Sequence, residues 1–190
     1  MMNAAGSTPS TQAGYSLIEM IVVMGLLVTL SGMAIVQINA SNPGLKGDGA
    51  MRTVLAQLNQ ARESAITQRR YVRVVFTPPN LVQVIREDTT TTTTVLSSVL
   101  LEGGAAFMLT TGLPDSPDRF GNTTAVAFGS VTNVKFSPEG TLVNQDGATA
   151  NGSAFLAVPG TSLSARAVTI LGSTGRIRGY RWIGSQWSLV

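Results

Sequence analysis

The sequence predicts an α+β fold: a long N-terminal, transmembrane α-helix packed on a β-rich, mainly antiparallel globular domain. Three observations carry this reading. Met20–Val36 is a run of 17 residues without a charge. Residues 50–69 place Met51, Val54, Leu55, Leu58, Ala61 and Ala65 at i, i+3, i+4, i+7 spacing, one apolar stripe on a helix. Past Arg70, short β-branched segments alternate with Gly, Pro and Asn turns, the pattern of a sheet domain.

Residues 1–14 are small, polar and uncharged, and read as a leader without structure. Residues 15–40 follow as one helix, about 39 Å long at ~1.5 Å per residue, enough to cross a bilayer core of ~30 Å. A secretory signal core is shorter and follows a basic segment, whereas the segment before Tyr15 has neither Lys nor Arg. Glu19 is the one acid in this run. A charge deep in a bilayer costs about 2.5–3.5 kcal/mol, so Glu19 requires a cation. A cut just before Tyr15 would create an α-amine four residues from Glu19. That amine would neutralise Glu19 within the chain or on a neighbouring copy. Gly14-Tyr15-Ser16-Leu17-Ile18-Glu19 thus reads as a processing site joined to an assembly device. Gly25, Ser31 and Gly32 permit close helix approach in lipid, or are simply tolerated there.

Residues 41–49 (SNPGLKGDG) form a breaker cluster, and Pro43 and Gly44 are expected to end or kink the first helix. The globular domain is expected over 50–190. Its helix, 50–69, takes Asp48 as N-cap, and Arg69-Arg70 suits its C-terminal end. Strands are expected at 71–76 and 81–86, joined by the Thr77-Pro78-Pro79-Asn80 turn as a hairpin. Further strands are expected at 95–101, 105–110, 125–128, 133–136, 154–158, 167–171, 177–183 and 186–189. The six threonines 89–94 read equally as a loop or an extended edge. Asp115 and Asp118, three apart, could bind Ca²⁺ weakly, but the turn-rich loop in which they sit explains them as well, and no metal or cofactor site is expected.

Composition narrows the chemistry. The chain has no histidine and no cysteine, which excludes a Ser-His-Asp triad, a His-ligated zinc site and thiol chemistry. No Walker-type loop, dinucleotide fingerprint or nucleophile elbow is present. A catalytic role is therefore not expected. The net charge is +3, and 160–190 holds Arg166, Arg176, Arg178 and Arg181 without any acid. Arg176 and Arg178 would share one face of a strand about 6–7 Å apart, a spacing comparable to successive phosphates. Arg forms bidentate bonds to phosphate, with Arg181 a further cation and Trp182 a stacking surface. The alternative is that Gly175 supplies a turn and the arginines are solvated or paired within the sheet.

Gly14, an aromatic residue, Ser-Leu-Ile-Glu19 and about 20 apolar residues together resemble the class III signal of type IV pilins and pseudopilins. The resemblance implies cleavage by a prepilin peptidase between Gly14 and Tyr15 and N-methylation of Tyr15. It also implies pairing of Glu19 with a neighbour's N-terminal amine during assembly. Tyr15 stands where that family usually carries Phe, and the leader lacks the usual basic residues. Three further segments resemble the GspH/FimT-type minor pilins and pseudopilins. They are Ala61-Arg62-Glu63-Ser64-Ala65-Ile66 leading to Val72–Phe76, Val134–Gly140, and Ala167–Ile170 with Gly175-Arg176-Ile177-Arg178. This resemblance implies a non-enzymatic pilin domain and a FimT-like minor pilin at the initiating tip of a type IV pilus. Its partners would be prepilin peptidase, other pilins, the bacterial inner membrane and duplex DNA, the last through Arg176, Arg178 and Arg181. The alternative is a GspH-like minor pseudopilin of a type II secretion system. The globular domain would face the periplasm.

Overall fold

The structure, a computed structural model, describes residues 16–128 and 134–190, with the side chains of 33–42 excepted. The expected leader and the Gly14–Tyr15 cleavage site lie outside the described residues. Helix α1 spans Leu17–Gln68 and contains Pro43. Helical backbone therefore continues through 41–49, so Pro43 and Gly44 do not end the first helix and Asp48 is not an N-cap. A proline in a helix interior costs about 3 kcal/mol. Tertiary contacts of Gly44, Gly47 and Asp48, described below, offset it. Two compact units divide at Ala40/Ser41.

In the first unit, the described side chains from Leu17 to Leu30 are exposed along α1. Thr29 and Ser31 donate their hydroxyls to the carbonyls of Leu26 and Leu27 at 2.8 and 2.7 Å. Both polar groups are thereby satisfied inside the helix, as a helix surrounded by apolar groups requires. Among the described residues no helix is long and apolar enough to cross a membrane. The expected span, 15–40, runs past the described side chains at both ends.

The second unit starts from the apolar stripe. Met51, Val54, Leu58, Ala61 and Ala65 are fully buried. The helix ends in a Schellman arrangement: the Arg70 N–H bonds the Ala65 carbonyl and the Arg69 N–H bonds that of Ile66. Arg69 takes the left-handed conformation, φ 51°, usually given to glycine there.

The strands are β1 (Val72–Thr77), β2 (Leu81–Glu87), β3 (Thr93–Leu100), β4 (Ala106–Phe107), β5 (Val126–Ala127) and β6 (Val134–Phe136). They continue with β7 (Leu142–Val143), β8 (Gly152–Ala157), β9 (Arg166–Leu171), β10 (Arg176–Trp182) and β11 (Trp187–Leu189). A short 3-10 turn, Ser162–Ser164, precedes β9. Every pairing is antiparallel, in two sheets ordered β3-β2-β1-β6-β7 and β11-β10-β9-β8-β4, with β5 also on β8. The stripe of α1 packs with Val72, Val74, Val82 and Val84 of the first sheet and Val168 and Ile170 of the second in one core.

Most expected strands appear with ends shifted by a residue or two. The segment 105–110 is strand only at Ala106–Phe107, and β7 was not foreseen. The threonine tract divides: Thr89–Thr92 form a turn, and Thr93 and Thr94 open β3 at a sheet edge. Strand β8 is buried on both faces, since on the side away from α1 Leu109 and Trp187 pack on Phe155, and Met108, Leu113 and Trp187 pack on Ala157.

Candidate functional site

Two regions hold the sequence-predicted residues. The first is the start of α1. Glu19 lies in its first turn and is exposed, and no cation stands within ion-pair distance of it among the described residues. Its sequence neighbours Leu17, Ile18, Met20 and Ile21 are all more than half exposed. The helix thus presents one anion within an apolar surface, and that anion has no partner among the described residues. An added Cβ at Gly25 or Gly32 meets nothing within 4 Å among the described residues, so no described contact requires either glycine.

The second region is β10. Gly175 has φ 62°, and a Cβ there would lie 1.9 Å from the Gly140 carbonyl oxygen. Arg62 donates from Nε to that same carbonyl at 3.1 Å and from Nη2 to the Thr174 carbonyl at 3.1 Å. The segments that carry Arg62, Gly140 and Gly175 therefore meet at one point. Gly175 is needed for the turn and for this close approach.

The arginines that follow have different surroundings. Arg176 is exposed, and its side chain has no ion-pair partner among the described residues. The Arg178 Nη1 lies 3.1 Å from Asp118 Oδ1. Asp118 Oδ2 accepts from Thr169 at 2.6 Å and from the Tyr180 hydroxyl at 2.9 Å. Burial raises the Asp118 pKa, but the bonds from Thr169 and Tyr180 and the Arg178 charge outweigh it and hold it below the ordinary value. Arg181 donates to Asp48, 2.8 Å from Nη2 to Oδ2 and 3.1 Å from Nε to Oδ1. Trp182 is buried, edge-on to Trp187 at 5.4 Å, so it offers no stacking surface.

Asp48 also takes Arg166, which is 2% exposed. The Arg166 Nε donates to Asp48 Oδ1 at 2.7 Å, Nη2 to the Gly44 carbonyl at 2.8 Å, and Nη1 to the carbonyls of Leu163 and Ala165 at 2.8 Å. Gly47 sits against Ser164, where a Cβ would lie 2.4 Å from the carbonyl oxygen. A buried guanidinium thus ties the Pro43 region of α1 to the start of β9. Sequence reading missed Asp48, Arg62, Asp118 and Arg166 as a set. The one available signal was the near-absence of acids to match the C-terminal arginines, which makes Asp48 and Asp118 their required counterions.

Asp118→Asn should destabilise the domain by about 2 kcal/mol, since it removes a charged acceptor of three bonds. Because the folded pKa is lowered, this contribution is complete above the ordinary aspartate range. It fades as pH falls through the folded value. Acid unfolding followed by circular dichroism should therefore begin at higher pH in Asp118→Asn than in the wild type.

A model of the family described as type II transport protein GspH matches residues 50–175. A model of the prokaryotic N-terminal methylation motif matches residues 9–35. No curated protein matches the chain. Two crystal structures of the type IV minor pilin FimU of Pseudomonas aeruginosa (strain PAO1), in space groups P21 and P65, are similar. Each is 16% identical over 74% of this chain, covering 91% and 96% of theirs, with TM-scores of 0.49 and 0.48. With the family match spanning more than half of the residues, the chain belongs to the GspH family of the pilin and pseudopilin superfamily.

Proposed function

We propose that the chain is a minor subunit of a type IV pilus-like filament, made as a precursor, cut between Gly14 and Tyr15, methylated at Tyr15, and assembled through α1. The observation that supports this reading most is Glu19 within an exposed apolar helical surface without a cation among the described residues. A neighbour's new N-terminal amine is the cation that supplies this need. Before assembly, the apolar segment would hold the subunit in the bacterial inner membrane with the globular domain in the periplasm. No catalytic constellation enters the reading. Type IV pilus and type II pseudopilus share this chemistry, and the subunit role is the same in both.

Duplex DNA is a secondary partner in this reading. Arg178 and Arg181 already face carboxylates, whereas Arg176 faces none among the described residues, which suits it to a phosphate. One such contact gives weak binding and a shallow dependence on salt.

Mass spectrometry of protein from membranes is expected to show loss of residues 1–14 and gain of one methyl group. Glu19→Ala should be processed normally, yet enter sheared filaments at least tenfold less. Retention of the full precursor, or normal incorporation of Glu19→Ala, would remove the proposal.

A further inference from the structure

Arg73 on β1 and Lys135 on β6 are directly opposite in register. Their neighbours Val72, Val74, Val134 and Phe136 are buried, so the two cations project from the face away from the core. Like charges directly opposite each other destabilise a sheet. A single carboxylate, Glu87 on β2, stands between them. Its Oε1 accepts from Arg73 Nη2 at 2.8 Å and Nε at 3.2 Å, and its Oε2 accepts from Lys135 Nζ at 3.2 Å. Burial raises the Glu87 pKa, but these bonds and charges outweigh it and keep the group ionised. Both oxygens are engaged, yet the trio keeps one net positive charge. Lys135 also lies over the Tyr71 ring, 4.4 Å from its centre.

Beside the trio is a hollow of about 320 Å³, walled further by Thr89, Thr90, Thr93 and Gln145. Thr89 is engaged with Thr92 at 2.6 Å. The Arg73 Nη1, the hydroxyls of Thr90 and Thr93 and the Gln145 amide have no partner among the described residues. The neighbouring Arg86 and Asp88 are paired with each other at 2.6 Å. Asp146, next in sequence to Gln145, holds its own turn through Asn144. The wall is therefore cationic and hydroxyl-rich, and no apolar side chain contributes to it. A bare oxyanion would leave most of this volume to water, since each water occupies about 30 Å³.

We propose that this hollow binds an acidic sugar. Its oxyanion, a carboxylate or a phosphate ester, sits between Arg73 Nη1 and Lys135 Nζ. Its hydroxyls meet Thr90, Thr93 and Gln145. The single excess charge matches one anionic group, and the threonine tract supplies the neutral donors and acceptors.

Calorimetric titration of the full-length mature protein, in a zwitterionic detergent without a sugar headgroup, tests this. Glucuronate, glucose 6-phosphate, glucose and inorganic phosphate are the probes. Saturable one-to-one binding of glucuronate or glucose 6-phosphate is expected, and the tighter of the two identifies the anion. Inorganic phosphate should bind at least tenfold more weakly, and glucose not measurably. Lys135→Gln should weaken the acidic sugar at least tenfold, and Thr90→Val with Thr93→Val about threefold. Glu87→Gln should tighten it about threefold, a sign opposite to that of a damaged fold. The proposal is overturned if neither acidic sugar saturates, if inorganic phosphate binds equally well, or if Lys135→Gln changes nothing.

Discussion

Arg166→Met is expected to lower the melting temperature of the Ser41–Val190 unit by about 6–12 °C, a loss of about 3 kcal/mol. Methionine keeps much of the volume, so the effect isolates the guanidinium. Four bonds disappear, and three of their acceptors are backbone carbonyls of Gly44, Leu163 and Ala165. The Ala165 carbonyl keeps the Trp182 N–H at 3.1 Å, and Gly44 lies within α1. The loss therefore falls mainly on the Leu163 carbonyl and on the removed charged bonds, and a polar group left buried without a donor costs about 1–3 kcal/mol before relaxation. Asp48 keeps Arg181, which limits the loss on the carboxylate side. Arg181→Met is the contrast: its side chain is 42% exposed, and exposed pairs contribute about 0–1 kcal/mol. Thermal unfolding of both variants by circular dichroism makes the comparison. Equal melting temperatures for the two would show that burial of Arg166 is not what holds the Gly44–Asp48 segment of α1.

Gly175→Ala should destabilise by about 2–4 kcal/mol. Left-handed backbone costs a non-glycine residue about 1–2 kcal/mol. The remainder is overpacking, because the added carbon would meet the Gly140 carbonyl oxygen at 1.9 Å. The displaced carbonyl is also the acceptor for Arg62 Nε, so the change reaches α1. Arg176→Ala, one residue on, should stay within about 0.5 kcal/mol, as exposed positions do. Chemical denaturation of the two variants separates the structural glycine from the arginine beside it. A comparable loss in Arg176→Ala would mean that Arg176 has a partner in the fold after all.

Legibility in the sequence followed the range of the forces involved. The 51–65 stripe and the β1–β2 hairpin were readable because their signals are local: a 3.6-residue period and a Pro-Pro-Asn turn. Pro43 misled for the same reason. Its local effect opposes a helix, but Arg166, more than 100 residues away in the chain, bonds Gly44 and Asp48 and keeps the backbone helical. Asp48 looked like an N-cap only because the break was expected. The surroundings of Arg178 and Arg181 depend on acids 60 and 133 residues away, a relation that no window of sequence displays. The division into two sheets was hidden likewise, because short alternating strands do not announce which neighbour they choose. The N-terminal methylation motif was readable because the residues that carry it, within 9–35, are close together in the chain.

The Asp48–Arg166–Arg181 junction also defines where tension would travel. Arg166 and Arg181 stand on adjacent antiparallel strands in direct register. A pull along α1 would therefore load two strands together through one carboxylate. Rupture would need the bonds of both guanidiniums to slide at once instead of opening one by one. The junction acts as a rivet, placing the load on β9 and β10, which pair over six residues.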